Sequence, residues 1–229
     1  MKKIIFLAGF LSFTTISTMM AQNAAGARVG ATWNNVTSKD LNGTVNFKNM
    51  SSMSAGAFYE VGLGYNFYVQ PELNYNEKGF RSDVNKDLTL FGINLPVGGS
   101  AVSVIKYVDV PVLLKYKLGN TEGGVKAYIM AGPSLGYALS GNIETRAKVL
   151  IDIKVADSPI NLNSNNYKRA ELAGVIGAGV ELPIGDRAKI FVDARFAKSL
   201  TDVYELPVVG SRLRNQSFGL GIGFAMNLN

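Results

Sequence analysis

The sequence contains no cysteine and no histidine, and each absence excludes a class of chemistry. Without cysteine, the chain has no disulfide framework and no thiolate ligand for a metal ion. Without histidine, it has no Ser-His or Cys-His nucleophile pair and no imidazole-bound zinc. A Ser-Lys or Asp-Asp site stays open, although no spacing in the chain points to one. We therefore expect a protein that is not an enzyme and that holds neither a cofactor nor a metal ion.

Two further features are missing: a long apolar run after the first 21 residues, and a concentrated basic stripe. A spanning helix needs about 18 or more consecutive apolar residues, and no such run follows residue 21. Lysine and arginine number 23 against 17 aspartates and glutamates, but they are scattered along the chain. A scattered excess does not form the basic stripe of a nucleic-acid-binding surface, so no nucleic-acid partner is expected.

The first residues have the pattern of a secretory signal peptide. Lys2 and Lys3 precede an apolar stretch over residues 4–13, and the small residue Ala21 offers a cleavage position. That stretch is short for a membrane helix, which makes an N-terminal anchor the less favoured alternative. We predict a signal peptide over residues 1–21 and one domain over residues 22–229.

The rest of the chain is dominated by an alternation of period two, which is the pattern of a β-strand with two different faces. In the last segment, Phe218, Leu220, Ile222 and Phe224 share one face, while glycines and polar residues take the other. The same alternation predicts eight strands, at residues 26–34, 53–62, 66–80, 102–118, 125–139, 168–183, 188–198 and 217–228.

The connections between these strands alternate between long and short. Short turns are predicted near residues 64, 121 and 186, and long loops over residues 35–52, 81–101, 140–167 and 200–212. Within the third long loop, residues 150–155 alternate by themselves, which predicts either a strand extension or a small extra hairpin. Pro111 and Pro133 fall within strands, where each is expected to cause a bulge or distortion. This rhythm predicts an all-β fold: an eight-stranded antiparallel up-and-down transmembrane β-barrel in a Gram-negative outer membrane, with both termini periplasmic.

A soluble barrel of lipocalin type would share this alternation, but its oily face would point inward. We favour the membrane orientation because the oily face carries aromatic residues near the strand ends, as interfacial belts do. The predicted lipid-interface aromatics are Trp33, Phe67, Tyr75, Tyr116, Tyr137, Phe196, Phe218 and Phe224. Charges in a narrow lumen must pair with one another. The predicted lumen network contains Arg28, Glu60, Glu72, Asp109, Lys115, Glu181, Asp193 and Arg195.

Several segments resemble the PorT-like outer-membrane β-barrel family of Bacteroidetes-type bacteria. The most specific is Asp-Val-Pro-Val-Leu-Leu-Lys-Tyr, from Asp109 to Tyr116. Pro71-Glu72-Leu73-Asn74-Tyr75, Ala131-Gly132-Pro133 and Gly177-Ala178-Gly179-Val180-Glu181 add to it. The resemblance implies an outer-membrane barrel. Some members of that family assist protein export by the type IX secretion system.

The function expected from the sequence is a structural or surface-interaction role, carried by the long outer loops. The expected partners are outer-membrane lipid and lipopolysaccharide, with a protein partner at the loops as a further possibility. Lys148, Lys154, Lys168 and Arg169 are candidates for contact with lipopolysaccharide phosphates, against the plainer interpretation of ordinary solvated charge. An accessory role in secretion is the main alternative, and a small pore or a membrane hydrolase is less favoured.

Overall fold

The fold is known from a computed structural model, which describes residues 23–38, 48–90, 93–119, 124–148, 152–160, 162, 167–206 and 211–228. The predicted signal peptide, residues 1–21, lies outside the described residues. The described strands, numbered along the chain, are β1 (Ala24–Ser38), β2 (Met50–Gly64), β3 (Phe67–Leu90), β4 (Ile93–Leu118), β5 (Lys126–Lys148), β6 (Asp152–Pro159), β7 (Ala170–Ile184), β8 (Ala188–Ser199), β9 (Tyr204–Leu206) and β10 (Ser211–Asn227). No helix in these ranges is long and apolar enough to cross a membrane.

Eight strands form a closed antiparallel barrel in the order β1-β2-β3-β4-β5-β7-β8-β10, and β10 pairs back with β1. The predicted eight-stranded up-and-down fold is thus confirmed. Starting from Arg28 and moving from each residue to its partner on the next strand, one direction around the barrel leads to Glu171 of β7. The other direction leads to Glu181 of the same strand, ten residues away. This displacement means that the strands are strongly tilted, as closure of a barrel requires.

The apolar face of the barrel points outward. Ile222 and Val192 are 55% and 49% exposed, whereas the neighbouring carboxylate residue Asp193 is only 4% exposed. A soluble barrel would bury these aliphatic side chains and expose the charge, because burial of apolar surface is what stabilises a soluble core. The lipocalin-type alternative is therefore excluded, and the strands have the apolar-out, polar-in alternation of a membrane barrel.

One end of the barrel is closed by tight turns. Gly64 pairs with Phe67, which leaves Tyr65 and Asn66 as a two-residue loop, and both have positive φ angles, 51° and 67°. Two positive φ values in a two-residue hairpin define a turn whose twist matches the strands. The β7–β8 connection at this same end runs through Gly185, with φ 62°. We call this the turn end and the opposite one the loop end.

At the loop end, the strands run further than predicted. The predicted loop over residues 81–101 was wrong, because β3 continues to Leu90 and β4 begins at Ile93 in an unbroken ladder. The other predicted loops are shortened in the same way. β5 continues to Lys148, and β6 pairs with it close to the predicted extra hairpin. Ladder pairing satisfies the backbone hydrogen bonds that these residues would otherwise have to make with water.

A bulge or a distortion was predicted at each proline, and the structure shows a local distortion without a bulge. Pro111 faces inward and Pro133 outward, but the β4–β5 register is the same on both sides of them, from Pro111 opposite Ser134 to Leu114 opposite Ala131. The ladder skips two positions and resumes, so the missing proline donors cost pairs and not register. The β4–β5 register shift lies instead between Lys106 and Tyr107.

Candidate functional site

The polar interior of the barrel is the most elaborate feature of the molecule, and its ionised side chains form three groups along the axis. We name them the turn-end cluster, the central cluster and the loop-end cluster. Each draws its members from several strands, because inward positions recur at every second residue and neighbouring strands are tilted.

The turn-end cluster contains two carboxylates and three lysines. Glu60, which is fully buried, accepts hydrogen bonds from Lys115 at 2.8 Å, Lys117 at 2.7 Å and Lys189 at 2.6 Å. Glu181 lies 3.0–3.7 Å from the same three ammonium groups. Two of the lysines also lie over aromatic rings, which adds cation–π attraction. The cluster carries a net charge of +1 and fills the lumen near the tight turns.

The central cluster is a chain of alternating charges. Asp193 accepts from Arg28 at 2.6 Å and from Arg195 at 2.9 Å, and Arg195 reaches on to Glu72 at 2.7 Å. Gln70 donates to Glu72 at 2.6 Å. These charge-assisted hydrogen bonds leave the cluster neutral and hold three strands, β1, β3 and β8, together across the interior.

The loop-end cluster has one cation between two carboxylates. Lys78 lies 2.9 Å from Asp109 and 3.2 Å from Glu171. Asn76 donates to Asp109 and Asn215 donates to Glu171, so further acceptor capacity is used. The net charge of this cluster is −1.

Together the three clusters contain six cationic and six anionic side chains, counted within the described residues, so the charges of the clusters balance. Buried charges are costly unless they are paired, and here each is paired. The central part of the lumen retains a cavity of only about 80 Å³. Among the described residues, no group of acidic, histidine or cysteine side chains could hold a metal ion.

The outward aromatic side chains fall into two bands. Trp33 stacks on Phe218 with ring centroids 6.0 Å apart, and Tyr75 and Tyr137 are both paired with Val108, so these four lie near the loop end. Phe67 packs on Tyr116 at 4.7 Å near the turn end. All eight predicted aromatics point outward; Phe196 adjoins the first band and Phe224 the second. Phe67 and Tyr75 are eight residues apart, about 20 Å along the barrel axis at the usual tilt.

Comparison with known proteins now agrees with this geometry. The outer membrane protein beta-barrel domain family matches residues 20–205. The chain belongs to this family. It is therefore an outer-membrane β-barrel protein, and its apolar outer band faces lipid as in other such barrels. No curated protein sequence matches the chain.

Two crystal structures share the fold of this outer-membrane barrel. Neisserial surface protein A is 11% identical, with 90% of this chain and 99% of that chain covered and a TM-score of 0.50. OprG from Pseudomonas aeruginosa is 12% identical, with 91% of this chain and 97% of that chain covered and a TM-score of 0.50. At such low identities the likeness concerns the fold alone.

The eight lumen residues named from the sequence all face the interior of the outer-membrane barrel. The structure divides them: Glu60, Lys115 and Glu181 lie in the turn-end cluster, and Asp109 lies in the loop-end cluster. The remaining four form the central cluster: Arg28, Glu72, Asp193 and Arg195.

Four further ionised residues complete the clusters and were not among the predicted site residues. Lys117, Glu171 and Lys189 lie on the inward phase of their strands, and this phase was a usable signal. Lys78 was missed because the inward phase of β3 was followed only to Asn74, although Lys78 continues it. Which lysine meets which carboxylate depends on the stagger between distant strands, which no local pattern contains.

Proposed function

We propose that this outer-membrane barrel is a closed, non-enzymatic anchor that acts at the cell surface through its loop-end hairpins. The observation that carries the proposal is the ion-paired lumen, because three clusters of buried charge obstruct any aqueous path. A barrel of eight strands is just wide enough for side chains to fill its interior. The alternative of a small diffusion pore is correspondingly disfavoured.

The long hairpin of β3 and β4 supports a surface role. From Tyr75 to Leu90 the strand runs fifteen residues, about 50 Å of strand beyond the aromatic band. With short turns at the opposite end, this arrangement has the asymmetry of outer-membrane barrels, whose long loops face outward. We therefore propose that both termini are periplasmic and that the hairpin stands above the outer surface.

The partners that we propose at the rim are outer-membrane lipid and the phosphates of lipopolysaccharide. Lys198 lies two positions after Phe196, which adjoins the aromatic band near the loop end. Lys106 is exposed, and its strand partners are Glu77 on β3 and Ser140 on β5. Of the residues named from the sequence, Lys168 is exposed and Arg169 lies 6.0 Å from the Tyr137 ring. The side chains of Lys148 and Lys154 lie outside the described residues.

A vesicle assay tests the lipid partner. Vesicles that contain phosphorylated lipopolysaccharide should stabilise the barrel more than vesicles with the dephosphorylated form. Lys106→Gln with Lys198→Gln should remove most of this difference, whereas Arg187→Gln at the turn end should not. Equal stabilisation by the two lipids would contradict the proposal.

The surface role is tested by truncating the hairpin. Ser82 and Ala101 are paired, so Asn-Gly in place of residues 83–100 can close the ladder with a two-residue turn. We expect the truncated barrel to fold. Cells that carry it should adhere to surfaces as poorly as cells that lack the whole protein, and their set of secreted proteins should be unchanged. Cells that keep normal attachment after truncation, but lose it after deletion, would contradict the surface role.

An accessory role in secretion is the second candidate, and it rests on the PorT-like resemblance. The most specific segment of that resemblance has a structural explanation, however: Asp109 and Lys115 belong to lumen clusters, and Pro111 and Leu113 fill the interior between them. This explanation weakens the inference from the segment to secretion. Loss of secreted proteins in the deletion strain would support the secretion role instead.

A further inference from the structure

A second interior space lies at the loop end of the barrel, and it differs in chemistry from the lumen below. This cavity of about 250 Å³, which we call the mouth chamber, is bordered by β1, β3, β4, β5 and β10. Ile160, which follows β6, and Val203, which follows β8, complete its wall. Its lining is mainly apolar: Val36, Phe80, Ile105, Ile143, Ile160, Val203 and Leu213.

The chamber is separated from the charged lumen by a floor of two tyrosines and one asparagine. The hydroxyl groups of Tyr107 and Tyr167 are hydrogen-bonded to each other, and the Tyr107 ring lies 4.5 Å from the Lys78 ammonium. Asn215 donates to Glu171 at 3.1 Å. These polar groups are engaged with one another or with the loop-end cluster, and Ser103 is the one other polar side chain in the described lining. A polar ligand would therefore lose its water and gain few partners.

The size and lining of the chamber define what it can hold. Apolar cavities of about 150 Å³ stay free of water and bind benzene. The mouth chamber is larger and has a comparable aliphatic and aromatic lining, but it is open on one side, where Ile143 is 42% exposed. By the same scale it has room for roughly ten non-hydrogen atoms.

We propose that the mouth chamber binds a small uncharged apolar molecule of about this size. The closed lumen beneath it means that the molecule is held at the barrel mouth and not conducted through the barrel. The protein would thus be a non-conducting barrel with a hydrophobic binding pocket at its loop end.

The test uses the full mature barrel in detergent micelles, with naphthalene as the probe and isoleucine methyl NMR as the readout. Ile105 reports on the chamber, and lipid-facing Ile222 reports on probe that merely dissolves in the micelle. We expect a saturable shift at Ile105 and a weak, non-saturating one at Ile222. A shift at Ile105 that simply parallels that at Ile222 would overturn the proposal.

A filled chamber provides the second arm. Val36→Phe with Leu213→Phe should weaken naphthalene binding at least tenfold, while Val192→Phe on the outer wall should leave it unchanged. The charged analogue naphthalene sulfonate should give no saturable shift at Ile105 of the unaltered barrel, which keeps the test valid if the filled variant does not fold. Saturable binding of the sulfonate with equal affinity, or unchanged naphthalene binding in a folded filled variant, would refute the assignment.

Discussion

The turn-end cluster makes a specific prediction about Glu60, whose carboxylate receives all three lysines of that cluster at 2.6–2.8 Å. Glu60→Gln preserves the shape of the side chain but removes its charge. Three buried ammonium groups would then share the single carboxylate of Glu181, at 3.0–3.7 Å. The net charge of the cluster would rise from +1 to +2.

The expected cost follows from the burial of these groups. Removal of one partner from a buried ion pair typically destabilises a protein by about 3–5 kcal/mol, since the remaining charge is left without compensation in a poorly solvated site. We expect Glu60→Gln to lower the free energy of unfolding by an amount in this range. If the urea dependence is about 2 kcal/mol per molar, the unfolding midpoint should fall by about 2 M.

The assay is urea unfolding of the barrel in phospholipid vesicles, followed by the fluorescence of Trp33, the only tryptophan in the chain. Glu77→Gln, on the outer wall, is the matched control and should change the stability by less than about 0.5 kcal/mol. Adding Lys189→Met to Glu60→Gln restores the charge of +1 and should recover about half of the loss. A double variant no more stable than Glu60→Gln alone would refute the reasoning that charge balance stabilises this cluster.

Three other predictions follow from the same structure. The unaltered barrel should show no open-pore steps in planar-bilayer recordings, whereas Arg195→Ala, which leaves the central cluster with excess negative charge, should give brief cation-selective steps; a steady wild-type conductance would refute closure. Gly223→Ala should destabilise the barrel by about 1–3 kcal/mol, because the new methyl group would meet the Phe191 ring, whereas Gly174→Ala has open space and should not; equal unfolding midpoints would argue against this packing. On intact cells, an impermeant maleimide should label Asn94→Cys but not Asp186→Cys, and the reverse pattern would invert the proposed orientation.

The strands and the direction of their faces could be predicted from the sequence, because period-two alternation is a local property. Ile222 alternates with glycines, and Asp193 alternates with the apolar residues Val192 and Ala194. The hairpin of β7 and β8 has the register expected from its short loop, with Glu181 opposite Phe191 and Asp193 opposite Gly179. A short hairpin loop fixes register over neighbouring strands, so this pairing needed no tertiary information.

The composition of the ion-pair clusters could not be predicted in the same way. Glu60 and Lys189 are 129 residues apart in the chain and meet only because the barrel closes with its particular stagger. The length of the β3–β4 hairpin was also missed, because this segment mixes apolar residues with charged residues, glycines and a proline. Pairing with the facing strand makes it a ladder.

The outward position of the apolar face underlies the membrane assignment, and a spin-label scan of β10 in bilayers tests that position most directly. The chain contains no cysteine, so single cysteines at Phe218, Leu220, Ile222 and Phe224 can be labelled without background. We expect that oxygen reaches all four labels, and that a water-soluble nickel complex reaches the labels at 220 and 222 least. Free access of the nickel complex to all four positions would contradict the membrane assignment.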